Sequence, residues 1–189
     1  CVCVVCVCFQ AEDGRRGAQE SRGLGDVYKR QAYEAALLYP ENLEVGRPYR
    51  DYRAGEKHYF IGLAREALGD GAAARACFEK AAAHALEGAS EARYHQACAL
   101  RKLGRDEEAG RIFAGLAAHG AKEIAGAGAV DYFAKFGERR SERARIAQAH
   151  YLLGLGYRGQ GREDEAVKEF RAALELAPDL LGARTQLAP

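Results

Sequence analysis

The clearest structural signal lies in residues 150–178, which read HYLLGLGYRGQGREDEAVKEFRAALELAP. Apolar side chains recur three and four residues apart on both sides of Gly161, as they do along one face of an α-helix. The glycines at the centre of the stretch favour a helix stop and a turn. Pro178 ends the second run, because proline lacks the backbone N–H that a helix interior requires. The stretch therefore predicts two amphipathic helices joined by a tight turn.

The same pattern occurs three times along the chain. Six positions keep their spacing in every copy, with the second copy 35 residues after the first and the third 57 residues after the second. In the first copy these positions are Tyr59, Gly62, Gly69, Ala74, Phe78 and Ala81. In the later copies they are Tyr94, Ala97, Gly104, Ala109, Phe113 and Leu116, then Tyr151, Gly154, Gly161, Ala166, Phe170 and Ala173. A recurring unit of this length indicates stacked helix pairs.

The small residues at two of these positions predict close helix packing. Glycine or alanine in the first helix, and alanine in the second, allow the two helices of a pair to approach each other. A bulkier side chain at such a contact would overpack it. The phenylalanine of each copy would then fill the space between one helix pair and the next.

The repeat resembles the tetratricopeptide repeat, and the third copy, about 147–180, matches that pattern nearly position by position. The first copy spans about 55–88. The second spans about 90–120 and departs from the pattern at Gln96 and Leu116. The resemblance implies an all-α solenoid of helical hairpins over 49–189, interrupted near 121–146 by an insertion of about 23 residues. Residues 32–48 resemble the tail of a truncated earlier copy followed by a connector.

Three further features favour one particular setting of this repeat. They are the sequence YPENL at 39–43, the insertion around 130–134, and LGA at 181–183. Together they resemble the C-terminal region of large bacterial proteins whose N-terminal half is a domain of unknown function, thought to be β-rich and related to sugar metabolism. This resemblance implies a non-catalytic scaffold that packs on an upstream domain of the same chain. The alternative is a free-standing adaptor that binds peptides.

The first 31 residues differ in character from the repeats. The chain contains no methionine, and it opens with CVCVVCVC, which is what a TG dinucleotide repeat yields when translated. The residues that follow resemble translated sequencing-adapter read-through. We therefore expect residues 1–31 to be non-native and disordered. The alternatives are a metal-binding tail of thiolates and a native extension of unknown role.

The composition argues against several classes of function. With 28 basic and 27 acidic residues, the chain lacks the basic excess of a nucleic-acid-binding domain. No apolar run approaches the roughly 20 residues that cross a bilayer. Cys77 and Cys98 stand alone in helical patterns, which fits buried thiols and a reducing compartment, so a cytoplasmic location is expected. We expect neither nucleic acid nor membrane as a partner.

Motifs that could carry chemistry are weak. Residues 154–159 read GLGYRG and fit the G-x-G-x-x-G pattern, but a dinucleotide site needs that motif directly after a strand. The pairs Glu91 with His95 and His119 with Glu123 could each share a helix face, yet spacing places no third ligand for a catalytic zinc ion. We therefore expect no catalytic residue, no cofactor and no metal, and the chain is not predicted to be an enzyme.

A peptide-binding groove is the strongest candidate site. In the tetratricopeptide family the first helix of each pair lines a concave groove, and the resemblance places seven residues there. They are Tyr59, Leu63, Tyr94, Arg101, Lys102, Tyr151 and Arg158. Tyrosine would offer rigid contact area, and arginine or lysine could clamp a carboxylate of a protein or peptide partner. The alternative is that the tyrosines pack between helix pairs and the basic residues are simply solvated.

A long DNA read from the source material, spanning codons 31 and 32, tests the predicted boundary. We expect the upstream frame to change there to a continuing helical repeat. An unbroken reading frame through the Cys-Val run would show that the boundary is wrong and would make its thiols the leading functional candidates.

Overall fold

A computed structural model describes residues 18–38, 51, 53–126 and 142–187. Its helices are α1 (Ala18–Ala35), α2 (Ala54–Ala67), α3 (Gly71–Ala83), α4 (Glu91–Lys102), α5 (Asp106–Ala125), α6 (Glu142–Gly159), α7 (Glu163–Leu176) and α8 (Leu181–Leu187). Within these ranges every regular element is a helix, which confirms the predicted all-α fold. Over the same ranges, no helix is long and apolar enough to span a bilayer.

The three predicted copies form three helix pairs, α2 with α3, α4 with α5, and α6 with α7. The second helix of each pair packs against the first helix of the next, so α3 contacts α4, α5 contacts α6 and α7 contacts α8. The first helices are also neighbours, since α2 contacts α4 and α4 contacts α6. This is the stacked arrangement of a helical-hairpin solenoid.

The turn inside each pair has the same geometry. Gly69, Gly104 and Gly161 adopt positive φ angles of 83°, 78° and 79°, a region that glycine enters without steric cost. In the first turn the Gly69 N–H donates to the carbonyl of Glu66, and the next N–H donates to the carbonyl of Arg65. The other two turns repeat both bonds. This Schellman pattern satisfies carbonyls at the end of the first helix and sets the reversal.

The spacing of small residues and phenylalanines that repeats in all three copies marks the core of each pair. A Cβ atom on Gly62 would lie 2.5 Å from Cε1 of Phe78, and a Cβ on Gly154 would lie 2.6 Å from Cε1 of Phe170. Phe113 clusters in the same way with an alanine of α4. All three phenylalanines are buried. Each ring therefore fills the space inside its own pair, in addition to the predicted space beside the next pair.

Helices α5 and α6 meet at the level of their backbones. A Cβ on Gly120 would lie 2.6 Å from the carbonyl oxygen of Ala149, and a Cβ on Gly156 would lie 2.7 Å from the amide nitrogen of Ala117. Helix α5 continues to residue 125 and α6 begins at residue 142, so both ends of the predicted insertion, 121–146, are helical. Its remaining part, 127–141, lies outside the described residues.

Helix α1 crosses the boundary that the sequence predicted at residue 31, so residues 18–31 are helical where disorder was expected. Its later half packs on α2: the ring of Tyr33 stacks on Phe60 at 5.3 Å between centroids, and Glu34 pairs with Arg65 at 2.9 Å. Residues 1–17 and 39–50 lie outside the described part, and the foreign origin of residues 1–31 stays a prediction.

Two matched glycine substitutions test the contact between α5 and α6. We expect Gly156→Ala to lower the free energy of unfolding by about 1–3 kcal/mol, because backbone atoms 2.7–2.8 Å from the new Cβ cannot turn aside. The control is Gly110→Ala in α5, where a Cβ meets nothing within 4 Å. It should raise stability by up to about 1 kcal/mol through helix propensity. Urea unfolding followed by circular dichroism measures both, and equal effects would contradict the proposed contact.

Candidate functional site

The seven predicted groove residues lie on the first helices α2, α4 and α6. The three tyrosines share one repeat position and the two arginines share another. Their exposure differs widely, because Arg101 and Lys102 are exposed whereas the ring of Tyr151 is only 1% exposed. The remaining residues are half-buried. The surface along these helices is therefore a continuous row of side chains, but much of it already has packing partners.

Two of the tyrosines frame a buried histidine. The ring of Tyr59 stacks on His95 at 5.5 Å between centroids, and Tyr94 lies edge-on to His95 at 5.6 Å. Both hydroxyls also interact with the thiol of Cys98. Burial raises the pKa of both tyrosine hydroxyls and of the Cys98 thiol above their ordinary values. All three groups are therefore protonated at neutral pH and act as packing groups with weak hydrogen bonds.

Leu63 belongs to the core between the first and second pairs. Its side chain packs against a cluster formed by Ala74, Phe78 and Ala99. Tyr59 packs against the same cluster. Both side chains keep part of their surface exposed, so a ligand in the groove would meet only their edges.

Tyr151 joins the third pair to the second. Its hydroxyl donates a hydrogen bond of 2.7 Å to Glu91 Oε1 at the start of α4, and its ring lies 6.0 Å from that of Phe170. Burial, followed by the negative charge of Glu91, raises the pKa of the Tyr151 hydroxyl. The bond to a carboxylate is of the strong, charge-assisted kind. Tyr151 thus serves as a tie between repeats rather than as an open contact surface.

Side chains at the repeat position of Arg101 form a second series of bonds between successive first helices. In the first pair the same position is Glu66, whose carboxylate accepts a hydrogen bond of 2.7 Å from Lys102 of the next first helix. In the second pair Arg101 donates through Nη2 to the carbonyl oxygen of Gly159 at the end of α6. The Arg101 guanidinium also lies 4.8 Å from the ring centre of Phe113.

Arg158 continues this series into the last helix. Its Nη1 donates a hydrogen bond of 2.7 Å to the carbonyl oxygen of Gln186 in α8, and its Nε donates one of 2.9 Å to Glu163. Its guanidinium stands 4.9 Å from the ring centre of Phe170, as Arg101 stands over the equivalent ring. The cationic side chains predicted to clamp a ligand are therefore engaged with the protein itself.

His95 is a residue whose position the sequence did not explain. It is 6% exposed, and its Nδ1 has no hydrogen-bond partner although Glu56 Oε1 lies 3.8 Å away. Burial lowers its pKa, against the opposing effect of the carboxylates of Glu56 and Glu91. The equivalent residues of the other copies are Phe60 and Leu152. Alignment of the three copies therefore indicates that this position is apolar and buried.

The weaker motifs acquire structural roles. Residues 154–159 lie inside α6 and not after a strand, and the glycines allow the close contacts with α5 and α7. Glu123, considered with His119 as a metal ligand pair, forms an ion pair of 2.9 Å with Arg145. Among the side chains that the structure describes, no three His, Cys, Asp or Glu are grouped to hold a metal ion.

Comparison with known proteins places the third pair in a family. Residues 147–180 match the model of the tetratricopeptide repeat. The matched residues contain all of α7 and most of α6, so the tetratricopeptide repeat coincides with the pair whose pattern was clearest in the sequence. No curated protein and no solved structure matches the chain significantly.

The buried histidine predicts a pH dependence of stability. In the unfolded chain His95 takes up a proton near its ordinary pKa of about 6.5, whereas in the folded chain burial lowers this pKa. The unfolded state therefore binds more protons as the pH falls, and the contribution of His95 to stability, present above that pH, is lost below it. His58 shifts in the same direction, chiefly through burial and then through Lys80.

We expect the urea midpoint of the protein to fall between about pH 7 and pH 5, in line with this linkage. His95→Leu, which introduces the residue found at the equivalent position of the third pair, should reduce that fall. Gly110→Ala changes no titrating group and is the control that should keep it. An unchanged pH slope in His95→Leu would show that burial of this imidazole does not govern the acid sensitivity.

Proposed function

We propose that this chain is a non-catalytic interaction scaffold, built from tetratricopeptide-type helix pairs, which packs against another protein domain. A repeat of this family supports a role in protein–protein interaction, and residues 147–180 match it. The resemblance of the wider sequence to large bacterial proteins suggests that the partner is an upstream, carbohydrate-related domain of the same parent chain. The runner-up is an adaptor that binds peptides in the groove.

The observation that carries the scaffold proposal is the engagement of the groove cations. Arg101 reaches from α4 to α6, and Arg158 reaches from α6 to α8. A peptide carboxylate that took over the bonded nitrogens, Arg101 Nη2 or Arg158 Nη1 and Nε, would have to exchange them for a backbone carbonyl or for Glu163. Such an exchange forfeits about as much free energy as it gains. These residues are therefore better suited to fixing the curvature of the stack than to binding a free peptide.

The ends of the stack offer the surface for a neighbouring domain. Leu38 after α1 and Leu181 at the start of α8 are 77% and 53% exposed. In a repeat protein each helix pair buries an apolar face against its neighbour, so exposed leucines at these positions support a contact with a further element. Exposed carboxylates and arginines along the second helices are paired mainly within their own helix, as in Arg75 with Glu79.

Substitution of the groove arginines separates the two functions. If they are ties, Arg101→Ala and Arg158→Ala should each lower the free energy of unfolding by about 1–2 kcal/mol, through a lost charge-assisted bond and a lost contact with phenylalanine. Arg171→Ala on the exposed face of α7 is the control and should change stability by less than about 0.5 kcal/mol. Urea unfolding measures all three variants.

The same variants should be titrated with acidic peptides by fluorescence polarisation. The scaffold proposal expects no saturable binding by any of them. The adaptor function would replace the scaffold proposal if three results occurred together. The wild-type chain would bind such a peptide, and the double variant Arg101→Glu with Arg158→Glu would weaken that binding at least tenfold. Arg101→Ala would leave the urea midpoint unchanged.

A further inference from the structure

An open pocket of about 380 Å³ lies inside the second helix pair, away from the groove residues. It is formed by residues 88–89 before α4, the start of α4 and the middle of α5. Ile112 and Leu116 supply its apolar lining, and Gly115 adds no side chain to it. A Cβ on Gly115 would meet nothing within 4 Å. The volume falls within the roughly 300–1,000 Å³ of known small-molecule sites.

Two arginines and a histidine line one side of this pocket. Arg93 comes from α4, and Arg111 and His119 come from the face of α5 that also carries Gly115. Arg93 is held in place because its Nη1 donates to the carbonyl of Leu86 at 3.3 Å and to Gln96 Oε1 at 3.2 Å. These bonds use Nη1, so the Nε and Nη2 donors of this lining residue are not needed to hold it in place.

Two carboxylates act on Arg111 at this side of the pocket, those of Glu107 and Glu108. Glu107 Oε2 is 3.8 Å from Arg111 Nη2, and both side chains are largely exposed to solvent. An exposed pair at that distance contributes little free energy, so Arg111 can exchange it for an anion bound in the pocket. The lining itself contains arginine, histidine, glycine and aliphatic side chains and no acidic one.

The other two pairs fill the equivalent space. In the third pair His150 and Glu169, at the positions of Arg93 and Ile112, form a hydrogen bond of 2.6 Å across the gap. In the first pair Lys80 occupies the position of Gly115 and lies near His58. The second pair thus combines Gly115 with Arg93, whereas position 115 is Lys80 in the first pair and the position of Arg93 is the bridging His150 in the third.

We propose that this pocket binds a small organic carboxylate with an aliphatic body, with the carboxylate on Arg93 and Arg111 and the aliphatic chain on Ile112 and Leu116. A guanidinium pairs well with a carboxylate, and the aliphatic floor adds favourable contact for a ligand that carries an apolar body. This site is independent of the scaffold role, because it uses none of the residues that tie successive first helices.

The test is a titration of the full chain with octanoate, followed by methyl NMR of isoleucine. The chain has four isoleucines, and Ile112 alone lines the pocket, so its methyl signal should shift saturably while that of buried Ile61 stays fixed. Octanamide lacks the charge and acetate lacks the aliphatic chain; each should bind at least about tenfold more weakly.

Variants on one helix face provide matched controls. Gly115→Leu should fill the pocket and weaken octanoate binding at least about tenfold, whereas Gly110→Leu, which also meets no neighbour, should change it less than twofold. Arg111→Gln should weaken binding about fivefold or more. Circular dichroism confirms that each variant is folded.

Four results would overturn the proposal. They are an unsaturable Ile112 shift, octanamide binding as tightly as octanoate, unchanged binding in Gly115→Leu, and tighter binding of an acetylated peptide ending in leucine. The last result would assign the pocket to a protein chain terminus instead of a small molecule.

Discussion

The architecture depends on how closely paired helices can approach each other. At Gly62 and Gly154 a single added carbon would overlap a buried phenylalanine ring, so the absence of a side chain on one helix sets the place of the ring on the other. The glycine turns then bring the two helices back to the same contact in each pair. Burial of the three rings supplies apolar stabilisation, and steric exclusion supplies the geometry.

With the helix pairs fixed, polar side chains decide how one pair is oriented on the next. Lys102, Arg101 and Arg158 each bond to the neighbouring first helix, and Tyr151 bonds to Glu91. These contacts lie on the surface that the adaptor hypothesis assigns to a peptide ligand. Engagement of the cations within the stack is the reason that a scaffold accounts for the chain better than a carboxylate clamp does.

Much of the fold could be predicted from spacing, because periodicity is a property of the backbone. The repeated positions of Gly161, Ala166 and Phe170 locate the turn, the helix contact and the core ring. They do so without any knowledge of which residues are close in space. The candidate site was less accessible. Whether Arg158 points to solvent or to the carbonyl of Gln186 depends on the rotation between helices that are distant in sequence. The open space at Gly115 likewise depends on what two separate helices fail to fill.

The two junctions between helix pairs are unequal, and this asymmetry affects how the protein opens. Between α5 and α6 the backbones touch, so the second and third pairs share a rigid boundary. Between the first and second pairs, side chains make the contact: an apolar cluster, the bond from Lys102 to Glu66, and rings around His95, whose buried Nδ1 has no hydrogen-bond partner. A linear array opens first at its weakest interface. We therefore expect the first pair to detach before the others as a sub-global unfolding unit, and we expect acidification to favour that partly open form, because His95 takes up a proton more readily once it is exposed.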